Sequence, residues 1–148
     1  LKYMTFRFGT IAGISPGMRF HTAINKFCFN AALKQNIIIY KTAYKQYRPY
    51  LSIKDAFKTF KFCIEKNIFK NEFFNFLSQN LTVEQVINLI KKYKKNIKIK
   101  FVNSKIMNQL SYHVDNNKLN KLGLKLKSNI QLDIKETLKL LNFKNHEM

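Results

Sequence analysis

The stretch KYMTFRFGTIAGISPGMRF, residues 2–20, decides the fold of this 148-residue chain. Its first part is an apolar run that ends at Gly9, which is typical of a strand. A loop follows, in which Ser15, Pro16 and Gly17 predict a tight turn, because proline presets φ and glycine can take a positive φ. We therefore expect a strand, a loop and then a helix.

The rest of the chain alternates between helix and strand patterns. Apolar residues at helical spacing predict an amphipathic helix over roughly residues 19–34, and others are expected after Ser52, after the Thr82-x-x-Gln85 capping box, near 115–123 and over about 130–141. Further strands are predicted at NIIIY (36–40), YRPYLSI (47–53), EFFNFL (72–77) and NIKIKFV (96–102). This alternation indicates an α/β fold.

The helix after Ser52 carries an apolar stripe that we expect to face the core. Asp55, three residues after Ser52, marks the start of this helix. Pro49 cannot donate to a β-ladder, so it is expected at a sheet edge or at a strand start. The stripe consists of Ile53, Ala56, Phe57, Phe60 and Ile64.

The net charge of +19 would ordinarily suggest nucleic acid or an anionic membrane as a partner. Here the lysines are spread over the whole chain and alternate with apolar residues, as in Ile97–Phe101, so that a strand points them to water. The chain is also rich in Asn and Ile, a bias expected of an AT-rich genome. We expect a solvated basic surface, without a nucleic-acid or membrane partner. A basic, non-catalytic module that binds nucleic acid or membrane stays as the alternative.

Several other kinds of site lack the required spacing. No apolar run approaches the ~20 residues that span a bilayer, and we expect no signal peptide. Cys28 and Cys63 both lie in apolar helical patterns, which favours a reduced, cytoplasmic protein over a disulfide. No carboxylate is placed to orient His113 in a catalytic triad, so His113 is expected to be a solvent-facing strand residue. The following residues lack the spacing of a metal site: His21, His113, His146, Cys28 and Cys63.

Tyr50-x-x-x-Lys54 has the spacing of the catalytic Tyr/Lys pair of short-chain dehydrogenases. That pair works because positions four apart share one face of a helix. Here Pro49 and the β-rich run around it predict extended chain, in which four residues span roughly 13 Å. We therefore expect no catalytic pair here.

Arginine is rare in this lysine-rich chain, which has only Arg7, Arg19 and Arg48 beside 24 lysines. A position that keeps arginine plausibly needs a planar fork of donors, as a diphosphate or a carboxylate does. All three arginines fall next to turn or glycine signals. Chance retention is the alternative for any one of them.

Four segments in order resemble the C-terminal half of NAD-dependent nucleotide-sugar epimerases and dehydratases, the extended short-chain dehydrogenase/reductase family. The resemblance extends to about Leu141. The matching segments are Arg7 and Gly13; Ser15, Pro16, Met18, Arg19, Phe20 and Asn25; Arg48, Pro49, Tyr50, Leu51, Ile53 and Asp55; and Phe74, Asn75, Leu81 and Thr82.

The resemblance implies the last strand of a Rossmann-type parallel sheet plus a small mixed α/β substrate-binding domain. Residues 1–18 would be the end of the Rossmann-type domain with the active-site loop, and residues 19–148 the C-terminal substrate-binding region. In this family, tightly bound NAD oxidises the sugar transiently, and this half mainly grips the nucleotide diphosphate. A homodimer formed through the other half is compatible with this resemblance.

The resemblance also implies the site residues. Arg48 would bind the diphosphate, and Arg19, at the N-terminus of its helix, would add a cation there, with a surface cation as the alternative. Asn25 would contact nucleotide or sugar, with a core amide as the alternative, and Thr10 would lie between nicotinamide and sugar. Ser15 and Met18 complete the substrate-binding set. For Arg7 a structural role across the sheet is preferred.

The chain departs from the family in three places. The glycine expected between Tyr40 and Arg48 is replaced by KTAYKQ, and Leu110 stands where a second phosphate-binding arginine often precedes Ser-Tyr. The dinucleotide loop and the helical Tyr/Lys pair lie upstream in this family and are not in this sequence. We therefore expect a fragment that contains no catalytic residue, is inactive alone and carries an exposed apolar edge at Tyr3–Phe8.

Overall fold

The computed structural model describes residues 1–103 and 111–143, and over these the predicted α/β alternation is confirmed. The strands in this part of the chain are β1 (Met4–Phe8), β2 (Thr10–Ala12), β3 (Asn36–Tyr40), β4 (Tyr47–Ser52), β5 (Glu72–Phe76), β6 (Gln79–Thr82) and β7 (Lys98–Val102). The helices are α1 (Ala23–Ala32), α2 (Ile53–Glu65), α3 (Val83–Tyr93), α4 (Asn117–Asn120) and α5 (Ile130–Phe143), and Lys41–Ala43 form a 3₁₀ turn.

The described strands form three small sheets. β1 pairs with β5 in parallel, and β3 pairs with β7 in parallel. The third sheet has the order β2-β4-β6, with β2 parallel and β6 antiparallel to β4. No other described strand pairs with β1, so one edge of this apolar strand is open, as the sequence predicted.

Two hydrophobic clusters hold these layers together. The larger one joins α1, α3 and α5 to β3 and β4, with Ile24, Ile87 and Ile134 fully buried. The smaller one joins β1 and β5 to the helices on that side, with Phe74 and Phe76 at its centre. The larger cluster includes Ala12, the last residue of β2, and Tyr50 of β4. The loop to α1 begins directly after Ala12.

Gly9 connects the first sheet to the third. Its amide donates to the carbonyl oxygen of Phe76 at 2.9 Å, which extends the contact with β5. On the opposite side, a Cβ on this residue would lie 2.9 Å from the backbone oxygen of Pro49. Only glycine fits here, because another backbone approaches this closely.

The start of the first helix differs from the prediction. α1 begins at Ala23, whereas residues 20–21 form a turn. The tight turn at Ser15 is present, since the amide of Met18 donates to the carbonyl oxygen of Ser15 at 3.1 Å. The expected positive φ at Gly17 is wrong: in this loop Gly13 has it, at +116°.

The apolar stripe predicted for α2 does not face the core as had been expected. Ser52 caps the helix as expected, accepting a hydrogen bond from the Lys54 amide at 3.3 Å. The buried residues of the helix are Asp55, Ala56, Thr59 and Cys63. Three of the five predicted stripe residues are exposed: Phe57 and Ile64 at 71% each, and Phe60 at 44%. The physical reason is the buried Asp55, whose carboxylate accepts hydrogen bonds from the hydroxyls of Ser78 (2.7 Å) and Ser128 (2.8 Å) and so fixes the rotation of the helix.

Of the remaining local predictions, some are confirmed and others are wrong. Both members of the capping box at Thr82 and Gln85 are present. Pro49 lies in the middle strand of its sheet, not at an edge, although the ladder to β2 begins only at Tyr50. His113 is exposed as expected but lies outside any strand. Cys28 and Cys63 are both free and buried.

Candidate functional site

The loop between β2 and α1 encloses one side of a cavity of about 420 Å³, which we call the Arg19 cavity. Its volume lies within the range of ligand pockets, about 300–1,000 Å³. Five of the six residues predicted for substrate binding line it: Thr10, Ser15, Met18, Arg19 and Asn25. The other lining residues are Ile11, Gly13, Gly17, Thr22 and Ile53. The structure thus brings together residues that are up to 43 positions apart in the sequence, from Thr10 to Ile53.

Asn25 fixes the shape of this loop. Its side chain is 3% exposed, and its Oδ1 accepts from the Gly13 amide at 3.4 Å. Its Nδ2 donates to the carbonyl oxygen of Arg19 at 3.2 Å, and the Thr22 hydroxyl donates to the same oxygen at 3.1 Å. Of the two interpretations offered by the sequence, these bonds match a core amide.

Arg19 is the charged residue among those that line the cavity. It lies four residues before the start of α1, so the expectation that it sits at a helix N-terminus is wrong. The residue is exposed, and its guanidinium makes no hydrogen bond or ion pair with any residue in 1–103 or 111–143. An anion in the cavity would therefore not have to displace an internal partner.

Arg48 lies apart from the other five predicted residues. Its guanidinium donates to the carbonyl oxygen of Tyr47 at 2.7 Å and to Oε1 of Gln46 at 2.8 Å, and it lies 5.4 Å from the centre of the Tyr112 ring. It is not among the residues that line the Arg19 cavity. In the β2–β4 register Thr10 pairs with Tyr50, which places Arg48 roughly 7 Å further along the strand.

A second, smaller cavity has a volume of about 250 Å³. Gly9 lines this cavity and the next residue, Thr10, lines the Arg19 cavity. Pro49 and Tyr112, which flank Arg48, also line the second cavity, together with Arg7, Phe8, Asn75 and Val114.

Tyr47 and residues 111–113 make contacts beside Arg48. The segment without the expected glycine contains the 3₁₀ turn and supplies Gln46 as a partner of Arg48. Leu110 lies outside the described residues. The next residue, Ser111, accepts a hydrogen bond from the Tyr47 amide at 3.0 Å, and His113 stacks on Tyr47 at 4.1 Å. Tyr112 is thereby placed next to the Arg48 guanidinium.

Tyr50 and Lys54 do not form an acid/base pair. Tyr50 belongs to β4 and is buried, and this burial raises its pKa to about 12, although nearby Arg48 lowers it in part. Lys54 belongs to α2, where a hydrogen bond from its ammonium to Glu136 at 2.9 Å raises its pKa. A catalytic tyrosine needs a lowered pKa, so the expectation of no catalytic pair agrees with this geometry.

Arg7 has a contact of the structural kind that was expected. Its guanidinium carbon lies 3.8 Å from the centre of the Phe73 ring on the neighbouring strand β5. This is a cation–π contact across the sheet. Arg7 also borders the second cavity.

Sequence reasoning missed the walls of the site. Ile53 was assigned to a helix stripe, and nothing local signals that the start of α2 meets Gly13. Only the parallel β2–β4 register, which pairs Ala12 with Ser52, brings these segments together. Among residues 1–103 and 111–143, no group of three His, Cys, Asp or Glu side chains is close enough to hold a metal ion.

Three solved structures illustrate what this fold is similar to. The UDP-glucose 4-epimerase of Thermotoga maritima, solved with UDP-glucose, superimposes with a TM-score of 0.77 and 19% identity, over 100% of this chain and 48% of that one. A UDP-N-acetylglucosamine 4-epimerase from Methanobrevibacter ruminantium, in complex with UDP-N-acetylmuramic acid, gives 0.77 and 18%, over 99% and 47%. The dTDP-glucose 4,6-dehydratase of Bacillus anthracis, in complex with NAD, gives 0.72 and 22%, over 97% and 45%.

These similarities establish the fold. No protein-family model matches the sequence. The chain spans about half the length of the enzymes that it resembles.

Proposed function

We propose that this chain is the nucleotide-sugar-binding C-terminal part of an NAD-dependent sugar epimerase or dehydratase. The observation that carries the proposal is that five residues predicted for substrate binding line one cavity: Thr10, Ser15, Met18, Arg19 and Asn25. The similarity in fold to enzymes solved with nucleotide sugars or NAD supports it.

The ligand would extend over both cavities. The sugar occupies the Arg19 cavity near Thr10, and the diphosphate reaches toward Arg48, whose guanidinium would bind phosphate oxygens by exchanging its hydrogen bonds to Tyr47 and Gln46 for them. Arg19 adds a second cation from the loop. Asn25 acts through the loop that it holds and does not need to touch the ligand.

NAD and the catalytic residues would belong to the other half of the enzyme, with Thr10 facing the nicotinamide. The open edge of β1 and the exposed apolar residues of α2 support this division, since such surfaces are usually covered by another part of a protein. Residues 1–18 would then complete a Rossmann-type domain, residues 19–148 would form the substrate side, and a homodimer would form through the other half.

Titration calorimetry of the 148-residue chain with UDP-glucose tests this proposal. We expect Arg48→Lys and Arg19→Lys each to weaken binding, because lysine keeps the charge but loses the fork of donors. Lys98→Arg, the reverse exchange at an exposed strand residue that lines neither cavity, is the control, and it should bind as the unmodified chain does.

The alternative, a basic module for nucleic acid or membranes, predicts another outcome. The charge of +19 would bind a DNA duplex or anionic vesicles through many lysines, and UDP-glucose would not bind. None of the helices in the described residues is long and apolar enough to cross a bilayer. DNA or vesicle binding that both arginine-to-lysine variants retain, without UDP-glucose binding, would favour the alternative.

A further inference from the structure

A buried carboxyl group lies behind the wall of the Arg19 cavity. Asp133 is in the first turn of α5 and is 2% exposed, and its Oδ2 has no hydrogen-bond partner among the described residues. One turn later Thr137 is fully buried, and its Oγ1 also has no partner there. An ionised carboxylate is costly in such a place unless donors surround it. The surroundings of Asp133 therefore favour the protonated, neutral carboxyl group over the carboxylate.

Asp133 touches the residues that form the cavity wall. A Cβ on Gly13 would lie 3.2 Å from Oδ1 of Asp133 and 2.7 Å from Cγ2 of Ile53. Gly13 and Ile53 both line the cavity. The carboxyl group is therefore separated from a bound ligand by little more than the backbone of Gly13.

The charged groups around Asp133 come from α2 and α5. Burial raises the pKa of Asp133 to about 6, the Ser52 hydroxyl and Lys54 lower it, and Glu136 and Asp55 raise it. Lys54 pairs with Glu136 at 2.9 Å, so its charge is shared. Asp55 is bound to the hydroxyls of Ser78 and Ser128 and offers Asp133 no donor.

We propose that Asp133 is a positioning residue of the Arg19 cavity, which binds a diphosphate ester tightly while Asp133 is protonated and weakly once it is ionised. This inference rests on the function proposed above. A negative charge behind Gly13 repels the diphosphate of the ligand across the cavity and so lowers its affinity. Because the coupling is reciprocal, binding of the ligand draws a proton onto Asp133.

The test is calorimetric titration of the 148-residue chain with UDP-glucose between pH 5.5 and 7.5. This probe is suitable because its diphosphate is esterified at both ends, whereas a terminal phosphate would itself titrate near pH 6. Parallel titrations in buffers with different ionisation enthalpies count the protons taken up on binding. Asp133→Asn removes the titrating group at nearly constant shape. Glu65→Gln makes the same change of charge at an exposed position. His21→Gln removes the histidine of the loop between β2 and α1.

We expect the unmodified chain to bind about tenfold more weakly at pH 7.5 than at pH 5.5, with net proton uptake near pH 6. Asp133→Asn should bind tightly at both pH values without proton uptake, and the two control variants should keep both effects. If Asp133→Asn folds poorly, the proton counts of the unmodified chain and of His21→Gln together are decisive. Binding without proton uptake, or uptake that only His21→Gln removes, would overturn the role of Asp133 and leave the proposed function standing. Absence of UDP-glucose binding by every protein at every pH would overturn the proposed function as well.

Discussion

Helices α2 and α3 begin in the same way but differ in which of their residues are buried. Each follows directly from a strand of the same sheet, β4 or β6, and each is capped by a hydroxyl, from Ser52 or Thr82. α3 buries its apolar residues Val86, Ile87 and Ile90 completely. α2 instead buries Asp55 and Thr59 and leaves aromatic side chains exposed.

The difference shows that amphipathicity alone does not determine which face of a helix is covered. In α3 the apolar face is the only one that the core can accept. In α2 the Asp55 carboxylate has three hydrogen bonds to Ser78 and Ser128, and these outweigh the exposure of Phe57 and Ile64. An exposed apolar face next to an open strand edge is what one expects where another part of an enzyme docks.

The largest expected effect concerns activity. The 148-residue chain alone should show no epimerase, dehydratase or dehydrogenase turnover and should retain no NAD, because the dinucleotide loop and the catalytic Tyr/Lys pair are not in its sequence. Turnover assays with a panel of nucleotide sugars, and spectroscopy of the purified protein for NAD, measure both. Turnover of any nucleotide sugar by the isolated chain would contradict the view that α2 and β1 await the other half.

A pair of alanine substitutions tests the comparison of the two helices directly. Ile87→Ala should lower the free energy of unfolding by about 2–5 kcal/mol, because it leaves a cavity in the core. Phe57→Ala should change it by no more than about 0.5 kcal/mol in the isolated chain, since the ring is mostly in water. Urea unfolding measures both values. A large cost for Phe57→Ala would mean that this face of α2 is already packed in solution.

Asp133→Asn should change how stability depends on pH. The pKa of Asp133 is raised in the folded protein, from 3.8 to about 6, so the folded state holds its proton more tightly than the unfolded state does. This stabilisation is present in full below about pH 4 and is lost as the pH rises through about 6. Relative to the unmodified chain, Asp133→Asn should therefore gain up to about 3 kcal/mol between pH 4 and pH 7.5. The free energy of unfolding of the two proteins, measured over this pH range, tests this prediction. Parallel profiles would contradict it and would mean that Asp133 is ionised between α2 and α5.

Arg48→Lys should weaken nucleotide-sugar binding in a complete enzyme that contains this chain and its upstream half. A lost charge-assisted hydrogen bond costs about 1.5–3 kcal/mol, which corresponds to a loss of affinity of roughly ten- to a hundredfold. The NAD content should stay the same, because the cofactor belongs to the other half. Calorimetry with a panel of UDP-sugars and measurement of bound NAD would separate the two effects. Normal binding by the variant would remove Arg48 from the site.

Tyr50→Phe should have the smallest effect. The tyrosine is buried in β4, its pKa is raised and Lys54 is held by Glu136, so no proton transfer depends on it. Turnover of the complete enzyme should be almost unchanged. If Tyr50→Phe is inactive while Arg48→Lys binds normally, then the functional assignment of β4 is reversed.

Local patterns predicted the secondary structure well where a local contact determines it. The capping hydroxyls of Ser52 and Thr82 and the glycine at residue 9 act on neighbours in sequence or in the adjoining strand. The face of α2 could not be predicted, because it depends on Ser128, 73 residues away from Asp55. The start of α1 was placed too early for a related reason, since Asn25 uses its amide to hold the loop at Gly13 and Arg19.

The candidate site was predicted in part. Resemblance to a family identified five residues that the structure brings together, although Arg48 lies beside a different cavity. Asp133 carried no signal, since an acidic residue in the first turn of a helix is usually a solvated partner of the helix dipole. Its burial becomes apparent only when α5 is packed against Gly13 and Ile53.

The contact at Gly9 links two parts of the molecule that would otherwise move independently. This single residue ends the pairing of β1 with β5, touches the backbone of Pro49 in β4, and lines the second cavity. A protein segment that pairs with the open edge of β1 would shift that strand, and the shift would reach β4 without a flexible joint to absorb it. Docking of the other half would thus change the distance between Arg7, beside the second cavity, and Thr10, beside the Arg19 cavity. The width of the proposed ligand site would then be set by that docking.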